Sequence, residues 1–174
     1  MLLPENIKNI TKSTFGNKMT NKHICYTNKK RIEINKTMME QEYRIKRRAL
    51  ILPKLKYDKN SQMVYLYKAI PIIARVNEKK YEIYNNETFV IQKTTKDTII
   101  IKEEDEEGAI IREIEIPVKE FQRIFYVAYC ITTHRSQGST FRHEYSIHEF
   151  DLFDHRLKYV ALSRSSCINN INIV

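Results

Sequence analysis

Residues Tyr126 to Ser165 read YVAYCITTHRSQGSTFRHEYSIHEFDLFDHRLKYVALSRS. The apolar run Phe125 to Ile131 has the character of a strand that stops at polar turn chemistry. Thr132, Thr133, His134, Arg135, Ser136 and Gln137 follow, and Gly138 closes the bend. The chain contains only three glycines, so one placed here marks a tight turn or a close backbone approach. A second extended run spans Glu144 to Phe150, and the segment closes on Tyr159, Val160, Ala161, Leu162, Ser163 and Arg164. The expected unit is a strand, a polar loop and a short helix. The start of a helix gathers unpaired N–H groups and partial positive charge. Hydroxyls, an imidazole and the Arg135 cation at such a point suit a phosphate.

The stretch THRSQGSTF, 133 to 141, resembles motif V of superfamily 1 helicases, often T-H-K-S-Q-G-x-T-F. YVALSR, 159 to 164, resembles their motif VI, in the usual order and at the usual separation. The branch resembled is RecD/Dda-like, and within it the carboxy-terminal half of the motor. That resemblance implies an α/β fold: a RecA-like parallel sheet with helices, carrying a small β-barrel-like insert. It also implies roles. Arg164 matches the arginine finger, the catalytic residue that reaches a nucleotide held by the other RecA-like domain. A guanidinium suits that task because it is permanently charged and forks onto two oxygens. Gln137 and Gly138 match residues near the nucleotide cleft, and Thr133, His134 and Ser136 match the side facing the nucleic-acid backbone. Tyr159 is expected to pack rather than stack.

Upstream, His23 to Tyr26 form a short apolar run before Thr27 and Asn28, both good helix caps, and a Lys-, Arg-, Glu- and Met-rich helical segment extends to about Arg48. ICYTNKKRIEIN, 24 to 35, resembles motif IV of the same family, with Thr27, Asn28 and Asn35 at its recurrent positions. Thr27 and Asn28 are candidates for nucleic-acid binding; the alternative is that they only cap the helix. The basic end, Arg44, Lys46, Arg47 and Arg48, reads as a solvated face that suits the helix dipole, with nucleic-acid contact as the alternative. Pro53 is expected to end this element.

Between 63 and 124 the pattern changes. Met63–Tyr67, Ile70–Val76, Tyr81–Tyr84, Thr88–Gln92, Thr98–Lys102 and Ile110–Ile116 are short β-rich runs separated by turn-like pieces, which suggests a small barrel or curled sheet. IPIIARVN and YNNETFVI resemble the stretch before motif V in RecD/Dda-like helicases, where a small β-barrel is inserted. Pro71 inside a strand run argues for an edge position. The acidic run Glu103 to Glu107 imitates a strand ending in metal-binding carboxylates. It repels itself and closes on Gly108, as a hairpin tip does, and a magnesium site would need a phosphate cradle beside it. His143, His148 and His155, with Cys130, match no compact Cys/His spacing, so no metal site is assigned. Asp151 and Asp154 are expected to cap or bend the loop between the two motifs, and Ile168 to Val174 to form a last edge strand.

The expected organisation is a basic linker or terminus at 1 to 22, a RecA-like domain at 23 to 62 and 123 to 174, and a β-rich insert at 63 to 122. The formal net charge of +9 favours a polyanionic partner, with mere solubility as the alternative. Three cysteines, none close in sequence to another, argue against a disulfide framework. No apolar run approaches a membrane span, and MLLPENIKNITKS lacks the apolar core of a secretory signal. These features point to an intracellular, reducing compartment: cytoplasm, nucleus or a viral replication site. No G-x-x-x-x-G-K-[ST] occurs, so ATP and Mg2+ are expected only when a P-loop-bearing first RecA-like domain, in the same or another chain, is paired with this one. The expected partner is single-stranded DNA, with RNA left open. The chain is then a domain of a longer helicase, a split subunit or a decayed fragment. A stand-alone nucleic-acid-binding module without ATPase activity is the competing reading.

Overall fold

The structure, a computed structural model, describes residues 15, 16, 18–105 and 107–174. In chain order the strands and helices are β1 (His23–Cys25), α1 (Asn28–Lys46), β2 (Leu50–Leu52), β3 (Val64–Leu66), β4 (Pro71–Ala74), β5 (Thr88–Thr94), β6 (Thr98–Glu104) and β7 (Ile110–Pro117). They continue as α2 (Val118–Ile124), β8 (Phe125–Val127), β9 (Cys130–Thr132), β10 (Tyr145–Ile147), α3 (His155–Leu162) and β11 (Ile171–Ile173). The chain divides into two compact units, 1–33 with 130–174 and 34–129. The expected insert, 63 to 122, lies within the second.

The first unit is built on a parallel sheet ordered β11-β10-β1-β9. Ile173, Ile147, Ile24 and Ile131 stand side by side in register across all four strands, each at most 1% exposed. Burying one such side chain contributes about 1.5–3 kcal/mol, so this row alone sets the register. One residue earlier, on the opposite face, runs a polar row of Asn172, Ser146, His23 and Cys130, also buried. Both faces are covered, as a parallel sheet requires. β11 is the edge strand, as expected for the chain's end. Of the proposed linker, residues 1–14 and 17 lie outside the described residues. The rest of it is engaged with this unit: Gly16 accepts from Ile173 N at 2.7 Å, Lys18 O accepts from Ser146 Oγ at 3.0 Å, and Thr20 N donates to Ser146 Oγ at 3.1 Å.

The second unit carries an antiparallel sheet ordered β7-β6-β5-β4-β8 and a β2-β3 pair. Phe89 and Ile91 of β5 and Ile99 and Ile101 of β6 alternate inward onto a core with Phe121, Ile124 and Phe125. Register shifts after Ile91 and after Glu103 place β-bulges that increase local twist. Four expectations change here. Pro71 is not on an edge: β4 lies between β5 and β8, and Pro71 is tolerated because it is the first residue of its strand, where its missing N–H matters least. Tyr81–Tyr84 is not a strand: a single 3-10 turn at Lys79–Tyr81 and a left-handed Glu82 (φ 52°) replace it. α1 ends on left-handed Arg47 (φ 51°) at Lys46, and Pro53 ends β2 instead. The apolar run Phe125–Ile131 is two strands, not one, and each joins a different sheet. The acidic run is a hairpin tip: Asp105 Oδ1 accepts from Glu107 N and Ala109 N, and Gly108 takes φ +85°. Glu106 of that run lies outside the described residues.

Candidate functional site

The bend after β9 is made of nested turns rather than a loop leading into a helix. Ser136 N donates to Thr132 O (3.1 Å) and Thr133 O (3.2 Å), and Ser139 N donates to Ser136 O (3.0 Å). Gly138 then turns the chain at φ +88°, a conformation that stops helix growth. A Cβ built on Gly138 would meet nothing within 4 Å, so the torsion, and not crowding, calls for glycine there.

The hydroxyls of the bend face inward. Thr133 is fully buried; its N and Oγ1 both donate to Cys25 O, at 2.8 and 3.1 Å, tying the bend to the end of β1. Ser136 is fully buried as well, and its Oγ donates to Thr133 O at 2.8 Å. Sequence matching set both residues toward a nucleic-acid backbone. The structure commits both hydroxyls to backbone carbonyls, because a six-residue reversal leaves carbonyls that need donors. His134, Gln137 and Gly138 are the exposed members of the bend.

Arg164 lies directly on this bend. Its Nη1 donates to Ser136 O (3.0 Å) and Ser139 O (3.1 Å), and its Nε donates to Val160 O (2.8 Å) at the end of α3. Its Nη2 donates to Ser163 Oγ at 2.9 Å. The clasp is reciprocal, since Phe141 N donates to Arg164 O at 2.6 Å. Around it, the Phe141 ring meets Tyr145 edge-on at 5.0 Å, and Tyr145 Oη donates to Ala161 O at 2.7 Å. The half-buried guanidinium is therefore a strut between the two motif-like stretches. Asp154, expected to cap or bend the loop between the two motifs, caps α3: its Oδ1 accepts from Leu157 N at 2.7 Å. Tyr159 is half-buried.

At the start of α1, Thr27 Oγ1 accepts from Lys30 N at 3.1 Å, an N-cap bond. Asn28 is exposed and its Oδ1 accepts from Arg31 Nε at 3.0 Å. The partner that the sequence did not disclose is Glu149. Its carboxylate accepts from Tyr26 N (3.1 Å), Thr27 N (2.8 Å) and Thr27 Oγ1 (2.8 Å). Glu149 reaches there from a left-handed backbone (φ 59°), which no sequence signal announces for a glutamate. An anion thus already occupies the polar start of this helix.

Two buried pairs lie in the strands of the parallel sheet or directly beside them. Cys130 Sγ donates to Cys25 Sγ at 3.5 Å; burial pushes the Cys130 thiol well up, and neither cysteine is in a disulfide. His23 Nδ1 and His148 Nε2 share a hydrogen bond at 3.1 Å. Burial brings both imidazoles down to about 4; the His148 and Lys22 charges add to this at His23, and Lys30 adds to it at His148. Among the described residues no group of three or more His, Cys, Asp or Glu side chains is placed to hold a metal, and no helix is long and apolar enough to cross a membrane.

No protein-family model matches the chain, and no curated protein matches it. Solved structures do. A Pif1 helicase described in DNA unwinding at forked double-stranded DNA superposes at TM-score 0.71 with 22% identity, over 98% of this chain and 45% of that one. A Bacteroides Pif1 bound to single-stranded DNA gives 0.71 and 22%, over 98% and 47%. The Pif1 helicase of Candida albicans gives 0.64 and 11%, over 99% and 50%. The chain therefore spans about half the length of the proteins it matches. At this identity the likeness is one of fold: the chain has the RecA-like α/β fold of a helicase domain.

Proposed function

We propose that the chain is the carboxy-terminal motor half of an ATP-dependent DNA helicase of superfamily 1, of a Pif1- and RecD/Dda-like kind. The observation that carries this reading is the seat of Arg164 on the bend. One guanidinium holds Ser136 O and Ser139 O and is still half-exposed. In a motor, phosphoryl transfer depends on positioning and on neutralising charge at the transferred phosphate. A P-loop-bearing domain supplies ATP and Mg2+; this chain supplies the fork. When Arg164 exchanges carbonyl oxygens for phosphate oxygens, the bend loses its strut. Gln137 and Gly138 then adjust on the nucleotide side and His134 on the strand side. Thr133 and Ser136 act by shaping the bend, and Thr27 and Asn28 face the strand once Glu149 yields. Strand grip thereby follows nucleotide state.

The test pairs the chain with a P-loop-bearing first domain and measures DNA-stimulated ATPase in Arg164→Lys. Lysine keeps the charge and one carbonyl bond but not the bidentate fork. Turnover should fall by about 1000-fold or more, the worth of an arginine finger; the lost strut bonds lower the melting temperature as well, so turnover is compared at a temperature where the variant is folded. Unchanged turnover in a folded Arg164→Lys protein removes Arg164 from that role. The four hydrogen bonds that already engage the guanidinium favour a second reading, a nucleic-acid-binding module whose Arg164 is purely structural. Under it, Arg164→Ala lowers stability and leaves any partner's ATPase untouched.

A further inference from the structure

A groove of about 690 Å³ contains none of the motif-like residues and lies wholly within the 34–129 unit. Three pieces of chain far apart in sequence build it. The end of α1 contributes Lys46 and Arg48, on either side of left-handed Arg47, whose N donates to Tyr43 O at 2.8 Å. The turn between β3 and β4 contributes Lys68. The β5–β6 hairpin contributes Lys93 and Lys96. All five cations are exposed, and no carboxylate lines the groove.

Hydrogen bonds fix the backbone that carries these cations. Ala69 N donates to Ile91 O at 2.7 Å and Ile91 N to Ile70 O at 3.0 Å, which fastens the Lys68 turn to the strand carrying Lys93. The hairpin tip is tied by Thr95 Oγ1, which accepts from Thr98 N at 2.9 Å. Lys46 is partly neutralised by Glu42 at 3.2 Å, and its Nζ stands 4.5 Å over the Tyr67 ring. Arg48, Lys68, Lys93 and Lys96 have no carboxylate partner among the described residues.

We propose that this groove docks the sugar-phosphate backbone of duplex DNA. Point charges on three sides of a tied-down frame suit a ridge of phosphates and carry no base readout. A single-strand site would instead need exposed rings for bases to stack on. The aromatic residue in this groove, Tyr67, is 3% exposed, covered by Lys46 and bonded through its hydroxyl to Tyr129 at 3.0 Å. The site stands on the groove alone and needs neither ATP nor Arg164. It gives a role to Lys46 and Arg48 at the basic end of α1, which reads in sequence as a solvated face with nucleic-acid contact as the alternative.

The experiment measures binding of the whole chain to a labelled duplex and to a single strand of about 20 nucleotides across a salt series. The groove variant is Lys68→Gln/Lys93→Gln/Lys96→Gln. Two controls accompany it: the same three positions changed to Arg, and Lys59→Gln/Lys79→Gln/Lys119→Gln, equal in charge loss and exposed outside the groove. Removing three phosphate contacts should weaken duplex binding about 100-fold or more near 0.1 M salt and flatten the log–log salt slope by about 2.7. Single-strand binding should change far less, and the Arg variant should bind as the parent does. Duplex affinity unchanged by the Gln variant, or lowered equally by the distant control, overturns the proposal. So does an equal loss for single strand and duplex. Because the assay contains no nucleotide and no partner domain, its failure is distinguishable from failure of the motor reading.

Discussion

Lowering the pH from about 7.5 to 5.5 should destabilise this protein through one buried pair, His23 and His148. Both imidazoles lie within the sheet unit, 0% and 4% exposed, and share one hydrogen bond at 3.1 Å. One must donate and the other accept, so the accepting ring is neutral, and burial keeps the donor neutral near pH 7 as well. Burial brings each from 6.5 to about 4 in the fold. The surrounding charges do not reverse this: Lys22 and Lys30 oppose protonation, while Glu149 and Glu33 favour it at His148. The sign follows from proton binding. Between about pH 6.5 and 4 the unfolded chain takes up protons that the folded chain refuses, so stability is complete above 6.5 and falls as pH drops. The loss comes to about 1.4 kcal/mol per imidazole at pH 5.5 and approaches about 3 kcal/mol each near pH 4. Urea unfolding at several pH values measures it directly. His148→Gln keeps a donor and an acceptor and should remove roughly half of the pH dependence. A His148→Gln protein that loses as much stability as the parent between about pH 6.5 and 5.5 would refute the assignment.

Gly138→Ala should cost about 1–2 kcal/mol, because φ +88° strains any residue with a Cβ while the space around it is open; thermal unfolding reads this, and a neutral result would mean that the bend takes another conformation. Tyr67→Phe should cost about 1–3 kcal/mol by stranding the Tyr129 hydroxyl, 3.0 Å away, inside the second unit. Adding Tyr129→Phe should recover most of that loss, and an additive double mutant in chemical denaturation would exclude the pair.

What the sequence determined by itself is local. A strand into a polar bend closed by Gly138, a helix opened by Asp154, a helix opened by Thr27 and a hairpin tip at Gly108 depend on neighbours a few residues apart. Their chemistry is written at consecutive positions, and the RecA-like class was implied by the resemblance of THRSQGSTF and YVALSR to helicase motifs. Tertiary structure decided everything that joins distant positions. Phe125–Ile131 is uniformly apolar, and only the partners on each side could send its first half to one sheet and its second half to another. Pro71 looked like an edge residue because the pattern does not show which strands flank it. Thr133 and Ser136 turned inward because Cys25 O and Thr133 O were there to be satisfied, and Glu149 reached Thr27 across 122 residues. Lys46, Lys68 and Lys96 are ordinary surface lysines in one dimension and three sides of a groove in the fold. Backbone torsion and capping act over one or two turns of chain; hydrogen-bond satisfaction and charge act through space, and only the packed sheet defines which groups are close.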